Sequence, residues 1–354
     1  MTDAAHILKV LIVEDDNSKI EEWNDAITAH NADAENKGFQ IEHLVSKSVP
    51  DAKRKLDSHR FDAAVVDLRL QVEEGVSENN SHGNDLVRHI IATQPLGVVV
   101  HTGQQAEADK DDYGVPHVQI MDKGDGLDQV FEWLAKHMDM FLQLRMARAA
   151  FDRETARVFF QSVWPRWKHW TNGDAQNGVA LADIVARHVV AHVHDALLSA
   201  GGDAAHPEES YFVPPLKSRL DTGDLLDFEG RTWIVVSPRC DLANKGKVKT
   251  VLLAACEDIS EKWGALKEKE RNRVIQHEQS PKQHFLFPLR DLNSNQRGPW
   301  MVQFHDIRAL PAEQALKELP GPRFASLSPL FVPSLVERFG GYFSRIGTPG
   351  FSSE

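Results

Sequence analysis

Four times in the first 123 residues an apolar run stops abruptly on a polar side chain. Residues 10–13 stop at Glu14-Asp15-Asp16, residues 63–66 at Asp67, residues 98–101 at Thr102, and residues 118–122 at Lys123. Short, β-branched apolar runs with no alternation are the pattern of strands buried on both faces, as in a parallel sheet covered by helices. A further strand is expected near 39–45.

The intervening stretches carry apolar residues at helical spacing instead. Ile20, Trp23 and Ile27 follow Asn17 or Ser18 as a cap, Pro50 opens a short helix to about 58, and Leu86, Val87, Ile90 and Ile91 mark a helix over 84–92. A short charged helix is expected over 104–111. The alternation predicts an α/β fold with a doubly wound, five-stranded parallel sheet, its site at the C-terminal rim of the strands.

From Leu127 the pattern turns helical, through Val130, Phe131, Leu134, Met138 and Phe141, and no Pro or Gly interrupts it before Pro165. One connector helix over 129–162 is the expectation, either pairing two copies of the chain or packing on its neighbours. The remainder, 163–354, reads as a mixed α+β domain: a helical part (163–200), a β-rich part (210–310) and a terminal helix (333–345). Short strands at 211–213, 225–228, 232–236 and 251–255, punctuated by Gly223, Gly230 and Gly246, suggest a small bent antiparallel sheet or barrel. Residues 257–278 read as a charged helix with a solvated face.

Charge sharpens the division. Residues 1–150 hold 15 Lys and Arg against 27 Asp and Glu, while residues 151–354 balance at 25 each, so the whole net charge of −12 lies in the first part. Such acidity suits a metal site and repels nucleic-acid phosphates, and the neutral second part lacks the basic body of a DNA-binding domain. Two cysteines give no disulfide framework, and no run is long and apolar enough to span a bilayer, so the expected location is the cytoplasm.

An acidic pair, a lone Asp, a hydroxyl and a lysine, each at a strand end, form a site for a divalent cation and a phosphoryl group. In that order they resemble the receiver domain of two-component response regulators, over roughly the first 130 residues. The resemblance implies that Asp67 accepts a phosphoryl group from a histidine kinase or phosphotransfer protein. It also implies that Glu14, Asp15, Asp67 and the Arg69 backbone carbonyl hold Mg²⁺, while Thr102 and Lys123 contact the phosphoryl group.

The chain departs from that pattern in four places. Gln71 replaces a proline, and a polar insertion at 72–82, a solvated loop or a lid, precedes the matching Gly83. Gly124 stands where many receivers carry a cis proline, and Ile120 replaces the aromatic residue of the usual rotamer switch.

The second part offers weaker chemistry. The stretch 163–170 alternates aromatic and basic residues, as an inter-helix contact or a base-stacking strip would. His188, His192, His194 and Asp195 lie on a helix expected over 180–199, with His169 upstream, and faintly resemble the core of metal-dependent phosphohydrolases, though the glycine and lysine expected next are missing. Cys240 beside Arg239 fits either an activated thiol or a structural turn, and could share a metal with Cys256. No helix-turn-helix, P-loop, cyclase or kinase motif is present. The expected function is a response regulator acting through an atypical output module by protein interaction. The alternatives are a receiver-regulated enzyme of metal-dependent or cysteine type, and a DNA-binding regulator.

Overall fold

The apolar runs pair as five parallel strands. In chain order the first part is β1 (His6–Val13), α1 (Asn17–Ala32), α2 (Ala34–Lys37), β2 (Phe39–Ser46), α3 (Val49–Ser58), β3 (Ala63–Val66), α4 (His82–Thr93), β4 (Gly97–Thr102), β5 (Gln119–Asp122) and α5 (Asp128–Lys136). In this computed structural model the described residues are 6–70, 82–111, 113, 118–171, 181–200, 205–244, 246, 248–278 and 280–344. The insertion at 72–82 thus lies outside them except for His82. By contacts the chain divides into two units, Met1–Ala200 and Gly201–Glu354.

The sheet order is β2-β1-β3-β4-β5, the flavodoxin-like doubly wound arrangement. Because strand side chains alternate, Ala64 and Val66 pack into one apolar layer with Leu86 and Ile90, while Ala63 and Val65 pack into the other with Trp23, Val130 and Phe141. Burial on both faces explains why these strands are unbroken apolar runs.

Details differ from the sequence pattern for local reasons. Asp16, rather than Asn17 or Ser18, caps α1 by accepting the Ser18 N–H at 2.8 Å. The helix expected over 104–111 is only a 3-10 turn, Gln105–Glu107. This segment has no apolar stripe, and its groups are engaged elsewhere. Asn84 donates to the Glu107 carbonyl at 2.9 Å and accepts from the Tyr113 hydroxyl at 2.5 Å, while Arg69 pairs with Glu107 at 2.7 Å.

The connector is likewise not one helix. It breaks at His137, whose backbone leaves the helical region (φ −103°, ψ 9°), into α5 and α6 (Met138–Val158); α6 runs on into a π turn, Phe159–Val163. The break turns Phe141 into the core, where its ring fits against Gly97: a Cβ there would lie 2.7 Å from the ring. Arg145 donates to the Ile7 carbonyl at 2.8 Å and pairs with buried Asp62, and Arg148 donates to the Phe61 carbonyl at 3.2 Å. A short α7 (Trp167–Thr171) precedes α8 (Leu181–Ala200), which packs against α6.

The second unit runs β6 (Tyr211–Phe212), β7 (Asp224–Phe228), β8 (Arg231–Val235), α9 (Arg239–Ala243), β9 (Thr250–Asp258), α10 (Ser260–Ala265), α11 (Glu268–Ile275), β10 (Gln283–Leu286), β11 (Leu289–Arg290), β12 (Gln296–Arg297), β13 (Trp300–Pro311), α12 (Ala312–Glu318), β14 (Arg323–Leu327) and α13 (Val332–Phe343). Seven strands pair antiparallel in the order β10-β13-β9-β8-β7-β14-β6, with a bulge in β13 between Gln303 and Ile307. The charged helix expected over 257–278 is two helices, because Glu257 and Asp258 still belong to β9 and Leu266 leaves helical geometry. Asp224, fully buried, is satisfied by Arg323 at 3.0 Å, Ser326 at 2.5 Å and the Asp221 N–H at 2.7 Å. Arg323 also donates to the carbonyls of Lys217, Ser218 and Arg219, tying β14 to the segment before β7.

If α6 is anchored by its first turns, Phe141→Ala should destabilise the first unit by about 3–5 kcal/mol, the usual cost of emptying a buried phenyl site. A urea titration followed by Trp fluorescence should show an earlier first transition. An unchanged transition would mean that α6 does not depend on this contact.

Candidate functional site

Strand register determines which side chains can meet. Val13 is level with Ser46 on β2 and Val66 on β3, Val66 is level with Val100, and Thr102 is level with Asp122. The chain therefore leaves β1, β3, β4 and β5 along one rim, delivering Glu14, Asp67, Thr102 and Lys123 there. Two backbone bonds extend the sheet past its last paired residues: the Asp67 N–H to the Val13 carbonyl at 3.0 Å, and the Glu14 N–H to the Ser46 carbonyl at 2.9 Å.

At this rim the Lys123 ammonium lies between two carboxylates, 2.5 Å from Glu14 Oε2 and 2.9 Å from Asp67 Oδ2. Glu14, Asp67 and Thr102 are buried. Asp67 Oδ1 accepts the Leu68 N–H at 2.7 Å, and the Thr102 hydroxyl accepts the Gln104 N–H at 3.3 Å. Glu14, Asp15 and Asp67 each offer an oxygen within 4.8 Å of the others, the only group of three or more metal-capable side chains among the described residues. Asp16 is turned away as the α1 cap.

The electrostatics follow from crowding. Burial holds the Glu14 carboxyl above its ordinary value; Lys123 opposes this and the Asp67 charge adds to it. Asp15 is raised for the same two reasons, burial first and then Asp67. For Lys123 burial works against the charged form, but its bonds to Glu14 and Asp67 prevail and raise it. Hard carboxylate oxygens at this spacing fit a hard divalent cation.

Two glycines behave differently. At Gly83 a Cβ would come within 2.3 Å of the Asp67 carbonyl oxygen and 2.5 Å of Leu68 Cα, so only glycine lets α4 begin against the Asp67–Leu68 backbone. At Gly103 there is open space, so the site is not tight on that side. The Arg69 side chain reaches out to Glu107.

Sequence reasoning missed His101, Asn84 and Tyr113. His101, next to Thr102, is buried with its Nε2 unpartnered, its ring edge-on to Trp23 at 5.6 Å, and burial, then Lys123, pushes its pKa down to about 4. Its place inside an apolar run was the available signal. Nothing local marks Asn84 and Tyr113, which meet across 29 residues.

The weaker candidates are spread out. His188 and His192 face each other at 4.5 Å on α8, and His188 contacts the Ser162 hydroxyl at 3.2 Å and the Trp170 ring at 4.9 Å. His194 and Asp195 are on the exposed side, and no third metal-capable side chain joins the His188–His192 pair among the described residues. Cys240 is exposed on α9 with its Sγ 3.6 Å from Asp241, while Cys256 is buried in β9, where burial pushes its thiol up. Arg239 pairs with Asp221 at 3.0 Å, lining a cavity of about 70 Å³ with Lys217 and Thr222.

The first unit has the flavodoxin-like doubly wound fold. That conclusion rests on its strand order and winding. Solved structures that it resembles include a CheY-like receiver domain protein from Methanospirillum hungatei JF-1, 17% identical, with a TM-score of 0.29 over 39% of this chain and 98% of that one. Another is the response regulator TrrA from Thermotoga maritima, solved in complex with Mg²⁺-BeF, at 15% identity and a TM-score of 0.25 over 36% and 97% of the two chains. A CheY-like receiver domain from Methylobacillus flagellatus is 21% identical, with a TM-score of 0.23 over 33% and 86%. No family model and no curated protein matches the chain.

A pH dependence follows. Between the ordinary and the raised carboxyl values, folded Glu14 and Asp15 hold protons that the unfolded chain has released, so stability falls as pH rises through that window. Mg²⁺ should offset the loss, by about 2.7 kcal/mol at a hundredfold excess over its Kd. The expected result is a higher thermal midpoint with Mg²⁺ at neutral pH, a gain that fades in acid and shrinks in Glu14→Gln. A midpoint indifferent to Mg²⁺ at neutral pH would remove the metal assignment.

Proposed function

We propose that the protein is a two-component response regulator that accepts a phosphoryl group on Asp67. The observation that carries this reading is the Lys123 ammonium held between the buried Asp67 and Glu14 carboxylates at the sheet rim where Thr102 also ends its strand. In this reading an Asp67 oxygen attacks the phosphorus of a phosphohistidine on a histidine kinase or phosphotransfer protein, and the imidazole leaves. Lys123 offsets negative charge on the transferred group, and the Thr102 hydroxyl donates to one of its oxygens. Glu14, Asp15, Asp67 and the Arg69 carbonyl would hold Mg²⁺, which supplies charge neutralisation at the phosphoryl oxygens.

The second unit is then the output module, and protein interaction is the mode we favour for it. Its charge balance gives no electrostatic footprint for nucleic acid, and its cysteines and the α8 histidines converge on no shared site among the described residues. The helices from α5 to α8 act as the connector, with a homodimer through them as a second partner. No described helix is long and apolar enough to cross a membrane.

Acetyl phosphate with Mg²⁺ should label the chain at one carboxylate. Asp67→Asn should abolish the label, and Lys123→Ala should slow labelling on the order of a hundredfold, the typical cost of losing one electrostatic stabiliser. Labelling that persists in Asp67→Asn would overturn the assignment.

A further inference from the structure

At the end of β3 away from Asp67 the first unit has a second cavity, of about 500 Å³. It is bounded by the segment between α3 and β3, the middle of β1 and β2, and α6. Pockets that enclose small ligands span about 300–1,000 Å³, so this one is of ligand size. Leu44, Phe61 and Ala149 give it an apolar wall.

Four cationic side chains line the cavity, within the part of the chain that holds the whole negative excess. Two of them are neutralised in place: Arg145 pairs with Asp62, and Lys9 with Glu42 at 3.7 Å. The other two, Arg60 and Arg148, pair with no carboxylate among the described residues. Arg148 is half-buried and donates to the Phe61 carbonyl at 3.2 Å and to the Pro95 carbonyl, while Arg60 is exposed. Burial and then the charge of Arg60 hold the Arg148 guanidinium below its ordinary value, with Asp62 and Asp152 acting the other way. Asp152, one turn further along α6, lines the cavity too but pairs with neither arginine. Two unpaired cations against one unpaired carboxylate leave an excess of positive charge in an otherwise acidic unit. Like charges turned toward one cavity repel until an anion joins them.

We propose that this cavity binds a small organic phosphate, its phosphoryl group held by Arg60 and Arg148 and its body lying against Leu44 and Phe61. A carboxylate is matched by the fork of a single guanidinium, whereas a phosphoryl group has a further oxygen and more charge, enough for two. An inorganic ion would leave the apolar wall and most of the volume unused. Asp62 and Asp67 bracket β3 and stand roughly 16 Å apart by the rise of a strand, so this site is separate from the acidic rim. It does not depend on the phosphoacceptor reading.

The test is isothermal titration calorimetry of the full chain with AMP, in low salt and without Mg²⁺. AMP should give a saturable heat. Arg60→Ala should weaken binding about tenfold or more, the usual cost of losing a charge-assisted contact, with an unchanged circular dichroism spectrum. Arg54→Ala, an exposed arginine of α3 outside the cavity, should bind as the wild type does. Asp67→Asn should do the same, which separates this inference from the phosphoacceptor reading. No heat at millimolar AMP overturns the proposal, as does an unchanged affinity in Arg60→Ala. Adenosine binding as tightly as AMP would remove the phosphoryl group from it. Inorganic phosphate binding as tightly as AMP would remove the apolar wall, and either result overturns it.

Discussion

One ammonium group allows the rim of the parallel sheet to exist as it does. Glu14 and Asp67 are buried, Asp15 is close to both, and two carboxylates brought so near each other out of water resist ionising together. Lys123, arriving from the far edge of the sheet, touches two of them and supplies a single positive charge against three negative ones. The remaining imbalance is the chemical meaning of the site. It suits a divalent cation.

The surrounding backbone is arranged around that imbalance. Sheet register sets the four strand ends level, and Gly83 allows α4 to start against the Asp67–Leu68 backbone where any side chain would collide. Between β4 and β5 the described residues form a short turn, Gln105–Glu107, that is tied down. Arg69 holds Glu107, Asn84 holds both Glu107 and Tyr113, and Arg88 holds Asp109. These ties run from the loop after Asp67 to α4 through groups two and seventeen residues beyond Asp67.

The connector shows how one residue's backbone redirects a long apolar pattern. With His137 outside helical geometry, Phe141 enters the sheet's core and the arginines that follow grip Ile7, Phe61 and Asp62 at its other end. The second unit uses a different device, a buried carboxylate at Asp224 whose oxygens are all engaged by Arg323, Ser326 and a backbone N–H. Paired and hydrogen-bonded, that charge anchors two strands without the deficit that marks the first unit's rim.

What the sequence determined by itself was the parallel sheet and the identity of its rim residues. Both follow from local rules: an uninterrupted β-branched run must be buried on two faces, and the residue after it must leave the sheet at its C-terminal edge. Asp67, Glu14, Thr102 and Lys123 were legible for that reason. Asp15 was legible as part of the acidic pair, whereas the role of Asp16 as a helix cap needed the backbone angles. Only the tertiary structure decided the break at His137, the collapse of the expected 104–111 helix to one turn, and the division of 257–278 into strand and two helices. In each case the deciding partner is remote in sequence or acts through backbone geometry: Gly97 beneath Phe141, Asn84 beneath Glu107, and Trp300 pairing with Asp258 at the end of β9. Periodicity records which side of an element is apolar. Which distant group will stand against that side, and therefore where the element must stop, is settled when the chain packs.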